Sequence, residues 1–143
     1  MKKKQVWKYY CDYCKKSGGS KYHIEKHEKG CTLNPNRVCG LCKIVGNKQS
    51  PIETLIAILP NIENYRSTVI DRYGFKSEYY DDFDTVLHGK LDILRETVDN
   101  CPACIMAALR QAKIPVPMVI GFNYKEELDT FWKEQNKEEI EIY

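Results

Sequence analysis

Six of the seven cysteines stand in pairs of the form Cys-x-x-Cys: Cys11/Cys14, Cys39/Cys42 and Cys101/Cys104, with Cys31 alone between the first two. That spacing lets a tight turn bring two sulfurs to one side, as thiolates sharing a metal ion require. Zinc takes four such ligands in a tetrahedron, at about 2.3 Å for sulfur. Two sites need eight ligands, and seven cysteines with one histidine supply eight, leaving no thiol over. An odd cysteine count without a secretory leader argues against a disulfide framework.

The first cluster runs Cys11-x2-Cys14-x12-His27-x3-Cys31. Over residues 9–31 it resembles the ββα zinc-finger family in its Cys-Cys-His-Cys variant. Tyr9, two residues before the first cysteine, stands where that family has an aromatic, and Ile24 where it has the Leu under its helix. No aromatic stands near Gly18, the place of the family's other core aromatic, so SGGS (17–20) predicts a loose turn in place of the hairpin. His23, His27 and Cys31 recur at i, i+4 and i+8 and share a helical face. A site of Cys11, Cys14, His23 and His27 therefore competes. It would strand Cys31, and its x8 gap scarcely leaves room for a strand and two helical turns, so the spacing favours His27 with Cys31.

The other four thiols are Cys39 and Cys42 in VCGLC and Cys101 and Cys104 in NCPAC. Gly40 predicts a knuckle turn. Asn100 and Pro102 predict the N-cap and first turn of a helix over CPACIMAALRQA, whose N-terminus favours thiolates. A knuckle pair facing a helix-start pair is similar to treble-clef and zinc-ribbon sites. The 58 residues between the pairs must then fold as an insertion closed by the metal.

That insertion reads as helical. Ser50-Pro51-Ile52-Glu53 has the form of a capping box opening PIETLIAIL, which stops at Pro60. A second helix is expected from Asn61 to Gly74, with Ile62, Tyr65, Val69, Ile70 and Tyr73 on one face. A third starts near Asp81 or Asp82 and carries the stripe Phe83, Val86, Leu87, Leu91, Leu94 and Val98. KIPVPMVIGF has room for one short strand. Asn123 and Glu126 cap a last helix with Leu128, Phe131 and Trp132 on its apolar face, and NKEEIEIY trails off polar. TLNPNR (32–37) reads as a turn-rich linker, dividing a finger at 1–33 from a helical domain at 34–143.

The hydrophobic share of 43% belongs to a globular chain. No apolar run approaches the roughly 20 residues that span a bilayer. The start, MKKKQVW, has the positive charge of a leader peptide without the apolar stretch that follows in one. A soluble chain is expected, cytoplasmic or, in a eukaryote, nuclear, with no membrane partner. Its charge is unevenly spread. Residues 1–50 carry 12 Lys/Arg against 3 Asp/Glu, a net of +9, and residues 51–143 carry 10 against 17, a net of −7. Metal-bound thiolates offset only a few of the front charges, so a basic front end facing an anionic partner is expected.

The finger resemblance implies base-reading positions at Ser20, Tyr22, His23 and Lys26, with Lys15, Lys16, Lys21 and Lys29 near phosphates. Tyr9, Tyr10, Tyr13 and Tyr22 are interleaved with these lysines, a pattern compatible with stacking on single-stranded bases. Nucleic acid, DNA or RNA, is the expected partner. The alternative is a partner protein met by the finger or by acidic helices, with EYYDDFD (78–84) as a contact for a basic surface, although that stretch reads more plainly as a helix N-terminus whose aspartates suit the dipole. The plainer reading of the lysines is a solvated face.

Two enzymatic readings are weaker. CPAC resembles a redox motif, but a thioredoxin-like fold needs a strand before it and a distant cis-proline, and Pro115 and Pro117 come too soon. Two Cys-x-x-Cys pairs flanking His88, with Asp81, Asp82 and Asp84 nearby, resemble zinc-anchored HNH nucleases, yet no adjacent Asp-His or second His accompanies it. No nucleophile–base pair or phosphate loop stands out, and no catalytic residue is assigned. The expectation is a mainly α, zinc-stabilised chain, with a small ββα-like finger followed by a helical domain closed by a four-cysteine site. Two zinc ions are held by Cys11, Cys14, His27 and Cys31, and by Cys39, Cys42, Cys101 and Cys104. Both are structural, since four protein ligands leave no open position.

Overall fold

Phe83, Leu87, Leu91 and Leu94 recur every three to four residues, so one helix face carries them all. In the computed structural model they are the centre of the core, none more than 2% exposed. The structure describes the backbone of residues 1–141 and the side chains of residues 1–136. In chain order the elements are β1 (Tyr9–Tyr10), β2 (Ser17–Gly18), α1 (Lys21–Gly30), α2 (Gly40–Val45), α3 (Ile52–Ile58), β3 (Arg66–Ile70), β4 (Lys76–Tyr80), α4 (Phe83–Thr97), α5 (Pro102–Gln111) and α6 (Tyr124–Glu141). About half of the chain is helical, with two separate two-stranded sheets.

The core is built where α3 packs on α4 and α5, and α5 packs on α6. From α3 it takes Ile52 and Leu55, with Leu59 just beyond. From α5 it takes Ile105, Ala107, Ala108 and Leu109, and the small alanines let neighbouring backbones approach. Ile114, Val119 and Phe122 close it from the segment between α5 and α6, and Phe131 of α6 is buried as well. Cys39, Cys42, Cys101 and Cys104 belong to the same cluster, so the thiols form part of the core.

Several expectations are corrected. Residues 61–74 form no long helix: a 3-10 turn at Ile62–Tyr65 leads directly into β3, which pairs antiparallel with β4 from Arg66↔Tyr80 to Ile70↔Lys76. The β-branched run Thr68-Val69-Ile70 favours strand. Gly74 at φ +83° supplies the left-handed turn residue rather than a helix cap. The Asp71 carboxylate braces that turn by accepting from the Tyr73 and Phe75 N–H groups. The helical spacing of Val69, Ile70 and Tyr73 buries nothing, for all three are exposed.

Ser50 does not cap α3. Its hydroxyl donates to the Thr97 carbonyl at 3.3 Å, and Pro51 is the cap residue. Asn100 is not the cap of α5. Asp99 and Asn100 both have positive φ, and Cys101 takes the cap position with Pro102 as first helical residue. KIPVPMVIGF forms a 3-10 turn at Val116–Met118 and no strand, because Pro115 and Pro117 lack the N–H a ladder needs. By contrast α4 and its stripe form as expected. So does the cap of α6, where Asn123 Oδ1 accepts from the Glu126 N–H at 3.2 Å. Beyond Asn136, the polar ending of NKEEIEIY lies outside the described side chains. Among the described residues no helix is long and apolar enough to cross a membrane.

Candidate metal centres

The ligands of the first cluster are set by two short turns. Cys11 follows β1, and its N–H donates to the Lys16 carbonyl at 2.9 Å, closing the loop that carries Cys14. The Tyr13 N–H points at Cys11 Sγ and the Lys16 N–H at Cys14 Sγ, each at 3.4 Å, which orients both sulfurs inward. β1 and β2 do pair, Tyr9 with Gly18 and Tyr10 with Ser17, so a hairpin replaces the expected loose turn. Ile24 explains it. Buried on the inner face of α1, its Cδ1 lies 3.7 Å from where a Cβ on Gly18 would be, so its aliphatic chain packs against the bare backbone of β2. Ser20 opens α1, its hydroxyl accepting from the His23 N–H at 3.4 Å. One turn from its end, α1 presents His27, and Cys31 follows as its C-cap.

The ligand atoms of Cys11, Cys14, His27 and Cys31 all lie within 4.8 Å of one another. Cys14 Sγ is 3.2 Å from His27 Nε2. His23 is exposed, against the edge of Tyr22, and is not in this cluster. The set that converges is the one with Cys31.

Cys39, Cys42, Cys101 and Cys104 form a second cluster within the same 4.8 Å limit, and all four are buried. Both pairs sit at helix starts. Cys39 caps α2, its sulfur accepting from the Cys42 N–H at 3.4 Å. Gly40 is thus the first helical residue and bends nothing. The left-handed residue is Gly46, which ends α2 at φ +76°. Cys101 caps α5 and Cys104 lies one turn in, so the ten-residue α5 directs its dipole at the thiols. Cys39 to Cys101 is 3.5 Å and Cys42 to Cys104 is 3.6 Å between sulfurs. All seven thiols are unpaired. Ligands at about 2.3 Å from a tetrahedral ion stand about 3.8 Å apart, so these separations suit a shared ion far better than a disulfide at about 2.0 Å.

The electrostatics ask for a cation. Hydrogen bonds from Cys101 and Cys104 hold the Cys39 thiol far below its usual range. Burial and the Cys104 charge push Cys42 up to about 12, and Cys101 is driven up by its contacts with Cys104 and Cys39. One thiolate is therefore favoured at the expense of its neighbours. In the finger, burial pushes Cys31 up. Burial also pushes on Cys14, but the Lys16 N–H and the Cys11 and Cys31 thiols outweigh it and leave that thiol lowered. A divalent ion lets all the thiols of a cluster ionise together. The two four-ligand clusters are compatible with two structural zinc ions.

Around the ligands lie residues that sequence reasoning missed. Gln49 accepts from the Cys39 N–H at 2.6 Å and donates to the Arg37 carbonyl at 2.8 Å. Glu28 accepts from the Asp12 N–H at 3.2 Å, tying knuckle to helix. Arg37, within the expected linker, is only 6% exposed, and its Nη1 donates to Cys104 Sγ at 3.7 Å. Nothing in the spacing of Arg37 or Gln49 signals these contacts.

Of the surface positions, Lys15, Lys16, Lys21, Tyr22, His23, Lys26 and Lys29 are exposed on the finger, while the Ser20 hydroxyl is engaged as the cap. His88 is exposed on α4, beside Gly121, and among the described residues it joins no metal-ligating cluster. Cys101 and Cys104 are too buried for thiol exchange with a partner. Comparison with family models, with curated proteins and with solved structures returned no match.

Proposed function

We propose that this zinc-binding chain is a nucleic-acid-binding protein whose finger is the anchor. One observation supports this reading: aromatic rings and lysines alternate on the outside of a finger too small to hold them inside. Tyr10, Tyr13 and Tyr22 are exposed there, together with Lys15, Lys16, Lys21, Lys26 and Lys29. Among the described residues Lys21 pairs with Glu25, at 3.8 Å and in solvent, so it remains available to a phosphate. Lysines attract the phosphate backbone, and exposed tyrosine faces stack on unpaired bases. With Ser20 engaged as a cap, base reading at the helix start is reduced, which favours a sequence-tolerant, single-stranded target.

Fluorescence anisotropy with labelled single- and double-stranded oligonucleotides tests this. Binding should be tighter to the single strand and should weaken with salt, with a log–log slope of about −0.7 per phosphate contacted. Changing Lys15, Lys16, Lys21 and Lys26 together to Glu should abolish it. Absence of binding at low salt, or binding unchanged by the charge reversal, sinks the reading.

A second reading is a protein contact through the β3–β4 hairpin. Val69, Ile70, Tyr73, Phe75 and Tyr79 are all exposed on it, Tyr73 and Phe75 about 70% exposed. An apolar cluster of this kind on a projecting ribbon suits a partner surface. Replacing Tyr73 and Phe75 with Ser would leave oligonucleotide binding intact and remove such a contact.

A further inference from the structure

Four thiolates around one divalent cation carry two surplus negative charges. At the second cluster those charges fall on cysteines at most 3% exposed. Burying uncompensated charge remains strongly unfavourable even after relaxation. A cationic side chain meets this cluster from just before the first pair, two residues ahead of Cys39. Arg37 is buried, and its Nη1 points at Cys104 Sγ at 3.7 Å.

The backbone carrying Arg37 is gripped from both sides. Toward the second cluster, its carbonyl accepts from Gln49, which also holds the Cys39 N–H. Toward the finger, the Arg37 N–H donates to the Asn34 carbonyl at 3.2 Å, and the Asn34 N–H donates to the Cys31 carbonyl at 3.0 Å. The buried Asn34 side chain donates to the Glu28 carbonyl at 2.7 Å, near the end of α1. The Val38 N–H donates to the Lys29 carbonyl at 2.8 Å. Residues 31–38 thus form a strap between the two clusters. Its finger end begins at the ligand Cys31, and Gln111 of α5 ties it to the body, donating to the Thr32 carbonyl at 2.9 Å and the Asn34 carbonyl at 3.1 Å.

We infer that Arg37 is the charge partner of the four-thiolate centre, and that the Cys31–Val38 strap couples the two centres, so that metal in the finger tightens metal in the body. The coupling is reciprocal, as binding linkage demands. Its expected size follows from the loss of an outer partner at a metal site, about 10- to 100-fold in affinity.

The test uses the full chain, with zinc affinity at the body centre measured by chelator competition. Cadmium-113 NMR separates the two centres, since a four-sulfur site and a three-sulfur, one-nitrogen site resonate apart. Arg37→Met should weaken the body centre by about 10-fold or more, and Arg37→Lys should recover most of that loss. The finger-null pair Cys11→Ser with Cys14→Ser should weaken the body centre comparably, and adding Arg37→Met should weaken it little further. An Arg37→Met protein within twofold of the parent overturns the charge-partner role. Additive losses in the combined variant overturn the coupling. Should Arg37→Met not fold, Asn34→Ala keeps every ligand and the guanidinium while removing the side-chain bond to the Glu28 carbonyl that ties the strap to α1. A weaker body centre in that variant supports the coupling, and an unchanged one overturns it.

Discussion

The finger and the helical body use the same ligand chemistry and depend on it differently. In the finger, Ile24 is the one buried residue of α1, and Cys14 and His27 are half-buried. In the body, the thiols are fully embedded among Leu55, Leu87, Leu91, Leu94, Ile105 and Leu109. Metal in the finger replaces a core, and metal in the body completes one. Below about 40 residues a chain seldom buries enough apolar surface to fold alone, whereas four packed helices do bury it. Two ions of one kind therefore hold different shares of the folding free energy.

Chelation separates the two most widely. Structural zinc contributes about 10–16 kcal/mol in small fingers, more than a finger of this size could replace. Stripping metal should collapse the finger's amide resonances to unfolded positions, while α4 and its neighbours keep much of their helicity in a looser body. A ¹H–¹⁵N correlation spectrum with and without chelator reads both halves at once. A finger that stays dispersed without metal would break the comparison at its root.

Single-ligand changes sharpen it. Cys11→Ser and Cys101→Ser should each lower the zinc content from two equivalents to one, by native mass spectrometry. Cys101→Ser should also lower the thermal midpoint of the helical core, because it leaves three thiols in a buried cluster without their ion. Cys11→Ser should lower that midpoint far less, through the strap alone.

How much of this was legible in the sequence follows the same division. The ligands were legible because coordination leaves a local trace: two sulfurs three residues apart, and His27 and Cys31 one helical turn apart. The pairing of Cys39/Cys42 with Cys101/Cys104 across 58 residues shows only in the ligand count, which two four-ligand sites use up in full. The α4 stripe was legible because burial on one helix face imposes its own period. Residues 61–74 mislead for the converse reason. Ile62, Tyr65, Val69, Ile70 and Tyr73 fall at helical spacing without being buried together, and the better signal was local: β-branched residues followed by Asp71 and Gly74. Arg37 left no trace, since a cation beside cysteines in a basic stretch looks like any other surface cation.

Core truncation comes next in size. Leu91→Ala, at a fully buried site on α4, should destabilise the body by about 2–5 kcal/mol. Ile24→Ala removes a comparable side chain from the finger, but its cost should appear as weaker zinc affinity there, because folding and binding are one event in that half. Denaturant melts of the zinc-loaded protein check the first and chelator competition checks the second. If Leu91→Ala shifted finger affinity as strongly as it shifted the melt, the two halves would not be the separate units this contrast requires.

The smallest test sets one chemical change in two places. Ser20 caps α1 by accepting from the His23 N–H, and Asn123 caps α6 by accepting from the Glu126 N–H. Removing either side-chain acceptor by substitution with Ala costs about 1 kcal/mol. In the body the loss should lower the thermal midpoint by roughly 4–8 °C, as expected for a domain of about 100 residues. In the finger no separate folding transition exists to record it, so the same loss should appear as about a fivefold fall in zinc affinity. Asn123→Ala should leave finger affinity where it was, and Ser20→Ala should leave the body's melt nearly unmoved. Equal chemistry then reads out as heat in one half and as metal in the other, and a Ser20→Ala protein with unaltered zinc affinity would show that the finger is held by something besides its ion.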